Sequence, residues 1–339
     1  MTNSQEGVSI VIAAYNAEQF IRRAIESVLR QDMAVREIVV VDDGSRDQTA
    51  DIVRKSGGPV KLVRQENRGP GAARNRGVRE CSSELVGFVD ADDELLPDMT
   101  AILAAALAEH PSAGAASGAH YYVRDGVTNR RPPPRRVTAG GAVQLLPNFF
   151  EVARRHDIAI VGSTLVRRRV FEEIGGFRED IRFAEDLDLW TRIAGRHGWV
   201  FVDRPLMVYH HSAASSSTLR TPESAKPVAF LLDERRLVAE VRPELWRSCR
   251  RYRRDMLLRQ ARVALVQRSL PQAWRLLAAI PPAPASLEWA ATAALARSQW
   301  MASLVLGVTG LARRVARRVR STHEPMEQRL KRPEQGMVT

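Results

Sequence analysis

Apolar and polar positions alternate along the first hundred residues in a way that predicts regular structure. "VSIVIAAY" (8–15) is a short, β-branched apolar run with the character of a buried strand. "AEQFIRRAIESVLRQ" (17–31) places Phe20, Ile21, Ala24, Ile25, Val28 and Leu29 at helical spacing. "EIVVVDDGS" (37–45) predicts a second buried strand ending in turn residues, and "RDQTADIVRKSG" (46–57) a helix closed by Gly57 and Gly58. "VKLVRQ" (60–65), "GPGAARNRGVREC" (69–81) and "ELVGFVDADD" (84–93) continue as strand, helix, strand. Alternation of this kind with short connections predicts an α/β fold, a parallel sheet covered by helices on both faces. Ligands of such sheets sit at the carboxyl ends of the strands. "AAYN", "DDGS" and "DADD" all fall at those ends.

The pattern then loosens. A helix is expected at 98–109, followed by a less regular stretch whose "RRPPPRR" (130–136) forbids regular structure and reads as a loop over or beside the site. A helix near 141–155 is expected, and "IVGSTLVRR" (160–168) and "VFEEIGGF" (170–177) restart order. "EDLDLWTRIAG" (185–195) predicts a helix with Leu187, Leu189, Trp190 and Ile193 facing inward, and "WVFVDRPLMVYHH" (199–211) a closing strand. The small, polar segment 212–227 reads as a linker or flap. Amphipathic helices follow at 228–241, 244–268 and 271–279, then a proline break at 281–285 and a last helical stretch to about residue 320. The expected division is an α/β domain over 1–224 and a helical, basic region over 225–339.

Charge sharpens that division. The net charge of +12 resides in the C-terminal third, where residues 225–339 hold 22 basic and 9 acidic side chains. "LARRVARRVRS" (311–321) sets Leu311, Val315 and Val319 on one stripe with arginines around it, which suits a helix lying on an anionic membrane surface. A helical appendage with a solvated basic face accounts for it equally well. "WMASLVLGVTGLA" (300–312) is too short to span a bilayer, and no aromatic-and-basic module points to nucleic acid. The two cysteines make no disulfide framework, and the N-terminus lacks the basic and apolar regions of a signal peptide. A cytoplasmic protein, peripheral at the inner face of the membrane, is expected.

The candidate chemistry lies in the first 224 residues. Asp42 and Asp43 end the second strand, where a carboxylate either accepts from a base or ribose or simply caps the following turn. Asp90 and Asp92, on an extended segment, would point to one side and converge, as one or two carboxylates do around a hard divalent cation shared with phosphate. "NRGPGAARNRG" (67–77) opens a helix with glycines and offers Arg68 and Arg74, with Asn75 beside them, to a pyrophosphate, while Arg76 and Arg79 read as solvated. Glu185 and Asp186 begin a helix, where a carboxylate near Trp190 is either a cap or a general base. His210 and His211 end the last strand before the Ser-rich segment. The chain carries no Gly-x-Gly-x-x-Gly after its first strand and no Walker-type loop, which disfavours dinucleotide dehydrogenases and P-loop enzymes.

Together, "VSIVIAAYNAEQFIRRAIESVLRQ", "EIVVVDDGSRDQT", "NRGPGAARNRG", "FVDADDELLP", "EEIGGF" and "EDLDLW" resemble, in order and spacing, the family 2 glycosyltransferases of GT-A fold. The resemblance covers about residues 7–212. It implies an inverting transferase that uses a nucleotide-diphosphate sugar and a divalent cation, Mg2+ or Mn2+. By position it implies that Ala14 and Tyr15 border the nucleotide base, that Asp42 binds it, and that Arg74 lies beside the nucleotide. Asp92 would be the foremost metal ligand, with Asp90 nearer the ribose and diphosphate. Asp186 would be the catalytic base and Glu185 its neighbour on the acceptor side. Many relatives read Tyr-Arg-x-His after the last strand, where this chain has "YHHS" (209–212), so either His210 or His211 is the candidate diphosphate contact. The resemblance points to polysaccharide or glycan synthesis on a glycan or lipid-linked acceptor. A nucleotidyltransferase, or a nucleotide-sugar-binding scaffold without activity, are the competing readings.

Overall fold

The computed structural model describes residues 7–124, 127–130, 143–181, 184–211, 229–266, 269–280 and 292–294. The chain forms two compact units, Met1–Met256 and Leu257–Thr339.

The first unit begins with strand β1 (Val8–Ala14), helix α1 (Ile21–Leu29), β2 (Glu37–Asp42), α2 (Thr49–Arg54), β3 (Val60–Arg64), α3 (Pro70–Arg79) and β4 (Leu85–Asp90). It continues through β5 (Glu94–Leu95), α4 (Met99–Glu109), β6 (Ala113–Arg124), β7 (Val127–Arg130), β8 (Val143–Leu145) and α5 (Phe149–Ala153). Next come β9 (Thr164–Arg167), α6 (Arg168–Ile174), α7 (Glu185–Arg196), β10 (Gly198–His211), α8 (Ala229–Leu232) and α9 (Glu234–Ala239). Helix α10 (Trp246–Val266) runs from the first unit into the second, where α11 (Leu270–Ala278) buries Ala273, Leu276 and Leu277.

One sheet organises the first unit, in the order β3-β2-β1-β4-β9-β6-β10-β5, with β7 on β6 and β8 on β10. Strands β3, β2, β1 and β4 are parallel neighbours. Strand β9 enters antiparallel between β4 and β6, and β6 and β10 pair parallel. The chain leaves β1 for β2 on one side and returns to β4 on the other, so strand order reverses at β1. This is the position at which open α/β sheets bind ligands.

Alternation along each strand divides the core. Ile10, Ile12, Ile38, Val40 and Val89 pack with Ile21, Ile25, Leu103 and Leu107 of α1 and α4. On the opposite face α3 comes close enough that a Cβ at Gly77 would meet Val11 Cγ1 at 2.3 Å. There Phe88 of β4 lies 5.3 Å from Phe177 and 5.8 Å from Phe171, ring to ring.

Several expectations need correction. Residues 113–124 form a long strand; their alanines and glycines lack the usual strand bias but are buried against β9 and β10. The helix expected over 141–155 is short. Val143–Leu145 pairs with β10 instead, and Asn148 caps α5 through Phe150 N at 3.1 Å. The helix expected at 46–57 begins only at Thr49, whose N–H donates to Asp47 Oδ1 at 3.0 Å. Leu187 is half-buried, whereas Leu189, Trp190 and Ile193 are buried as expected. The prolines at 132–134 and the segment 212–227 lie outside the described residues, as does the basic stretch after residue 300.

Candidate active site

The carboxyl ends of β1, β2 and β4 are tied together by side chains that satisfy backbone groups of neighbouring loops. Asn16, at φ 49°, donates its N–H to Ser45 Oγ at 2.9 Å and accepts from Arg46 N at 2.9 Å. Asp42 is fully buried; its Oδ1 accepts from Ser45 N at 2.9 Å and its Oδ2 from Arg64 Nε at 2.7 Å. Asp43 holds the next loop, accepting from Gly69 N at 2.8 Å, Arg68 N at 2.9 Å and Gln65 Nε2 at 2.8 Å. Gly69 has φ 93°, a left-handed value that favours glycine, and delivers the chain to Pro70 at the start of α3. Tyr15 stays 51% exposed beside this edge, and Ala14 is buried in the strand.

The "DADDE" segment is a turn. Asp93 N donates to Asp90 O at 3.0 Å, so the chain turns here and Asp90 and Asp92 do not lie along one extended segment as expected. Arg23 donates to the Asp92 carbonyl at 2.6 Å and pairs with Glu94 at 3.2 Å. Asp93 is buried, and its Oδ1 accepts the backbone N–H of His210 at 2.9 Å. Burial first, and then the charges of Asp92 and Asp90, push the Asp93 carboxyl well above the usual carboxylate range. The His210 ring shares a 2.7 Å hydrogen bond with Glu94 Oε1.

Arg74, only 4% exposed, stands at the centre. Its Nη2 donates to Asp90 Oδ1 at 2.6 Å and its Nη1 to Glu185 Oε1 at 2.6 Å, while the guanidinium carbon lies 5.3 Å from the Phe177 ring centre. Burial works against its charge, but Asp90 and Glu185 outweigh that and hold the guanidinium firmly protonated. Asp186 follows Glu185 in the first turn of α7 and is half-buried. Loss of hydration, followed by the charge of Glu185, pushes its carboxyl up to about 7, against the pull of Arg74 and of a hydrogen bond from Leu187 N. Such a carboxyl can exchange a proton near neutrality.

A second layer fixes these groups. Asn75 donates to Phe177 O and accepts from Phe177 N, both at 2.8 Å. Asp188, buried in α7, holds Arg178 at 2.8 Å and Arg192 at 2.7 Å, and Arg192 donates onward to Ile174 O and Gly176 O. The loop from 174 to 178 is thereby tied both to α3 and to α7.

Residues 9–175 match the model of Glycosyl transferase family 2, and a 221-residue segment is 32% identical to the uncharacterized protein MT1568 of Mycobacterium tuberculosis, covering 62% of this chain and 69% of that one. The chain belongs to glycosyl transferase family 2. Its similarity to the succinoglycan biosynthesis protein ExoU of Rhizobium meliloti is 35% over 55% of this chain and 56% of ExoU. That to the putative glycosyltransferase EpsH of Bacillus subtilis is 42%, over 27% of each chain. The chain thus spans from about a quarter to about two thirds of these curated relatives. Among solved structures, S. aureus TarS 1-349 in complex with UDP-GlcNAc matches with TM-score 0.64 and 20% identity over 81% of this chain and 82% of that one. The mannosyltransferase PcManGT from Pyrobaculum calidifontis, in complex with GDP-Man and Mn2+, matches with TM-score 0.53 and 23% identity over 92% and 86%. These likenesses establish the GT-A fold, a mostly parallel α/β sheet between helices.

In this family 2 domain the structure brings Asp90, Arg74, Glu185 and Asp186 into one cluster, although 111 positions separate Arg74 from Glu185 in sequence. Asp42 has turned its carboxylate into the protein, and the His210 ring is engaged with Glu94. The His211 side chain lies outside the described residues. Asn75, expected beside a pyrophosphate, is committed to the Phe177 backbone instead, and the bracing roles of Asp93, Phe177 and the Asp188–Arg192 pair were not anticipated. Only the last left a trace, an acid and a base four apart on one helix.

Among the described residues, no three His, Cys, Asp or Glu side chains are preassembled around a metal position. Asp90 and Asp92 nonetheless add negative charge around Asp93, which Arg23 and the His210 N–H only partly offset. One oxygen of Asp90 is held by Arg74. Such a set fits a cation held by one or two carboxylates that completes its shell from a diphosphate and water.

Proposed function

We propose that this chain is an inverting glycosyltransferase that moves a sugar from a nucleotide-diphosphate donor to a hydroxyl of a glycan or lipid-linked acceptor. The observation that carries this reading is the pairing of Asp186, pushed up to about 7, with an acidic turn across one buried arginine. A base that titrates near neutrality and nearby carboxylates able to hold a cation are what a single displacement needs.

Asp92 and Asp90 would hold Mg2+ or Mn2+, which supplies positive charge against the departing diphosphate. The nucleotide lies along the ends of β1 and β2, with Tyr15 exposed to meet its base and Asp42 stiffening the loop beside it. The acceptor hydroxyl attacks the anomeric carbon; the new C–O bond forms as the bond to the diphosphate oxygen breaks. The electron pair leaves with the nucleoside diphosphate and the hydroxyl proton passes to Asp186. Because attack comes from the face opposite the leaving group, the anomeric configuration inverts. His210, through its bond to Glu94, orients the end of β10 next to the acidic turn.

Polysaccharide assembly is the favoured setting, supported by similarity to ExoU. No helix among the described residues is long and apolar enough to cross a membrane. Docking of the basic C-terminal region on anionic lipid would place the domain at the cytoplasmic face, next to lipid-linked acceptors. The reading is tested by incubating the full chain with a panel of nucleotide sugars and measuring nucleoside diphosphate release, with and without Mn2+. No release from any donor by the wild type would overturn it.

A further inference from the structure

Arg74 joins two segments to which the transferase reading gives different roles, the acidic turn and the start of α7. Asp90, on β4, belongs to the acidic turn; Glu185, on α7, precedes the base. One guanidinium takes an oxygen from each at 2.6 Å. Three further observations bear on what it does. At 4% exposure it offers almost no surface to a ligand. Its Nε is buried without a hydrogen-bond partner, so its placement is dictated by the two carboxylates and by the Phe177 ring, whose backbone Asn75 grips from both sides. Finally, α7 starts from Ala184 at φ 55°, a left-handed conformation disfavoured for alanine, with no side chain capping the helix. The bond from Arg74 reaches Glu185, the residue that directly follows this left-handed start.

We propose that Arg74 is a positioning residue: a strut that ties Asp90 to Glu185 and so sets where Asp186 stands relative to the donor. This departs from the place beside the nucleotide that family resemblance implies, and it rests on the transferase reading above. A strut and a diphosphate ligand give opposite signs when the charge is removed. Removing a ligand weakens nucleotide binding. Removing the strut releases an oxygen of Asp90 and leaves nucleotide binding intact or tighter, while the base loses its position.

The experiment uses the full chain carrying Arg74→Met or Arg74→Gln, the second keeping an uncharged amide NH2 as donor so that a folded variant is in hand. Binding of UDP, GDP, ADP and CDP with Mn2+ is followed by calorimetry, and turnover by nucleoside diphosphate release. The expected result is unchanged or tighter nucleotide binding, an unchanged donor KM, and a kcat lower by about a hundredfold, the scale of a small misplacement of a reacting group. Weakening of nucleotide binding by about tenfold or more, the loss of a charge-assisted hydrogen bond, would overturn the strut in favour of a ligand. Undiminished kcat would overturn it as well, and so would failure of both variants to fold, since Arg74 would then serve stability alone. If the wild type binds none of the four nucleotides, it is the transferase reading that has failed.

Discussion

Asp93 Oδ1 accepts the backbone N–H of His210 at 2.9 Å, and this bond, beside that of the His210 ring to Glu94, joins the acidic turn to the last long strand of the sheet. The carboxyl is buried, and burial together with Asp92 and Asp90 pushes it well above the usual carboxylate range; its hydrogen bond to the backbone is the role that the geometry shows. Asp93→Asn keeps the acceptor and is expected to unfold in urea close to the wild type. Asp93→Leu strands a backbone donor and should cost about 1–3 kcal/mol in the same measurement.

Asp186→Asn is expected to lower turnover by about a hundred- to ten-thousand-fold while nucleotide affinity holds. In the wild type, kcat should rise with pH on a limb centred near 7, because only the ionised carboxylate accepts the proton. The stability sign follows. A folded value of about 7 against an ordinary 3.8 means that ionisation opposes folding. That burden is absent well below pH 4, grows between 4 and 7, and is complete above. Asp186→Asn lacks it and should melt at a higher temperature than the wild type at pH 8, with the gap closing toward pH 4.

Asp188 neutralises two arginines, one of them as buried as itself. Asp188→Ala leaves that buried charge unpaired and is expected to cost about 3–5 kcal/mol by denaturant titration. The loss should be smaller in a double variant that also replaces Arg192 by Met, since the stranded charge is then gone.

Gly176 has φ 65°, and a Cβ there would stand 2.6 Å from Asn75 Oδ1. Gly176→Ala is therefore expected to displace the clamp on Phe177 and cost about 1–3 kcal/mol in thermal unfolding, through strain and the close contact. Gly175→Ala has the same sign of φ but open space around the added methyl, and should be milder.

Chelation of divalent cations is expected to abolish nucleoside diphosphate release, and Mn2+ or Mg2+ to restore it. Asp92→Asn should require a higher cation concentration for the same rate, read as a shift in the activation curve. A variant with the wild-type curve would remove Asp92 from the cation site.

The alternating sheet and helices of residues 8–109 were legible because β1, β2 and β4 are buried on both faces and read as nearly continuous apolar runs, while the helices between them repeat every three to four residues. Placement of "AAYN", "DDGS" and "DADD" at one edge followed from the same alternation, since parallel strands all end on one side. Residues 113–124 and 143–145 were not legible as strands, because their pairing depends on β9 and β10, contributed from far along the chain. Which carboxylates face a ligand and which brace the scaffold was also beyond the linear pattern. Asp42, Asp90, Asp93 and Asp186 are the same residue type at similar turn-like positions. Only the tertiary structure gives Asp42 to Arg64, Asp93 to the backbone of His210, and Asp90 to an arginine shared with Glu185. The Asp186 carboxyl is pushed up to about 7 by burial and by its neighbour Glu185. Sequence determined which groups gather at the sheet edge, through strand direction and periodicity. Tertiary structure decided their roles, because burial and the nearest opposite charge set the state of each carboxyl, and both are properties of contacts between distant segments.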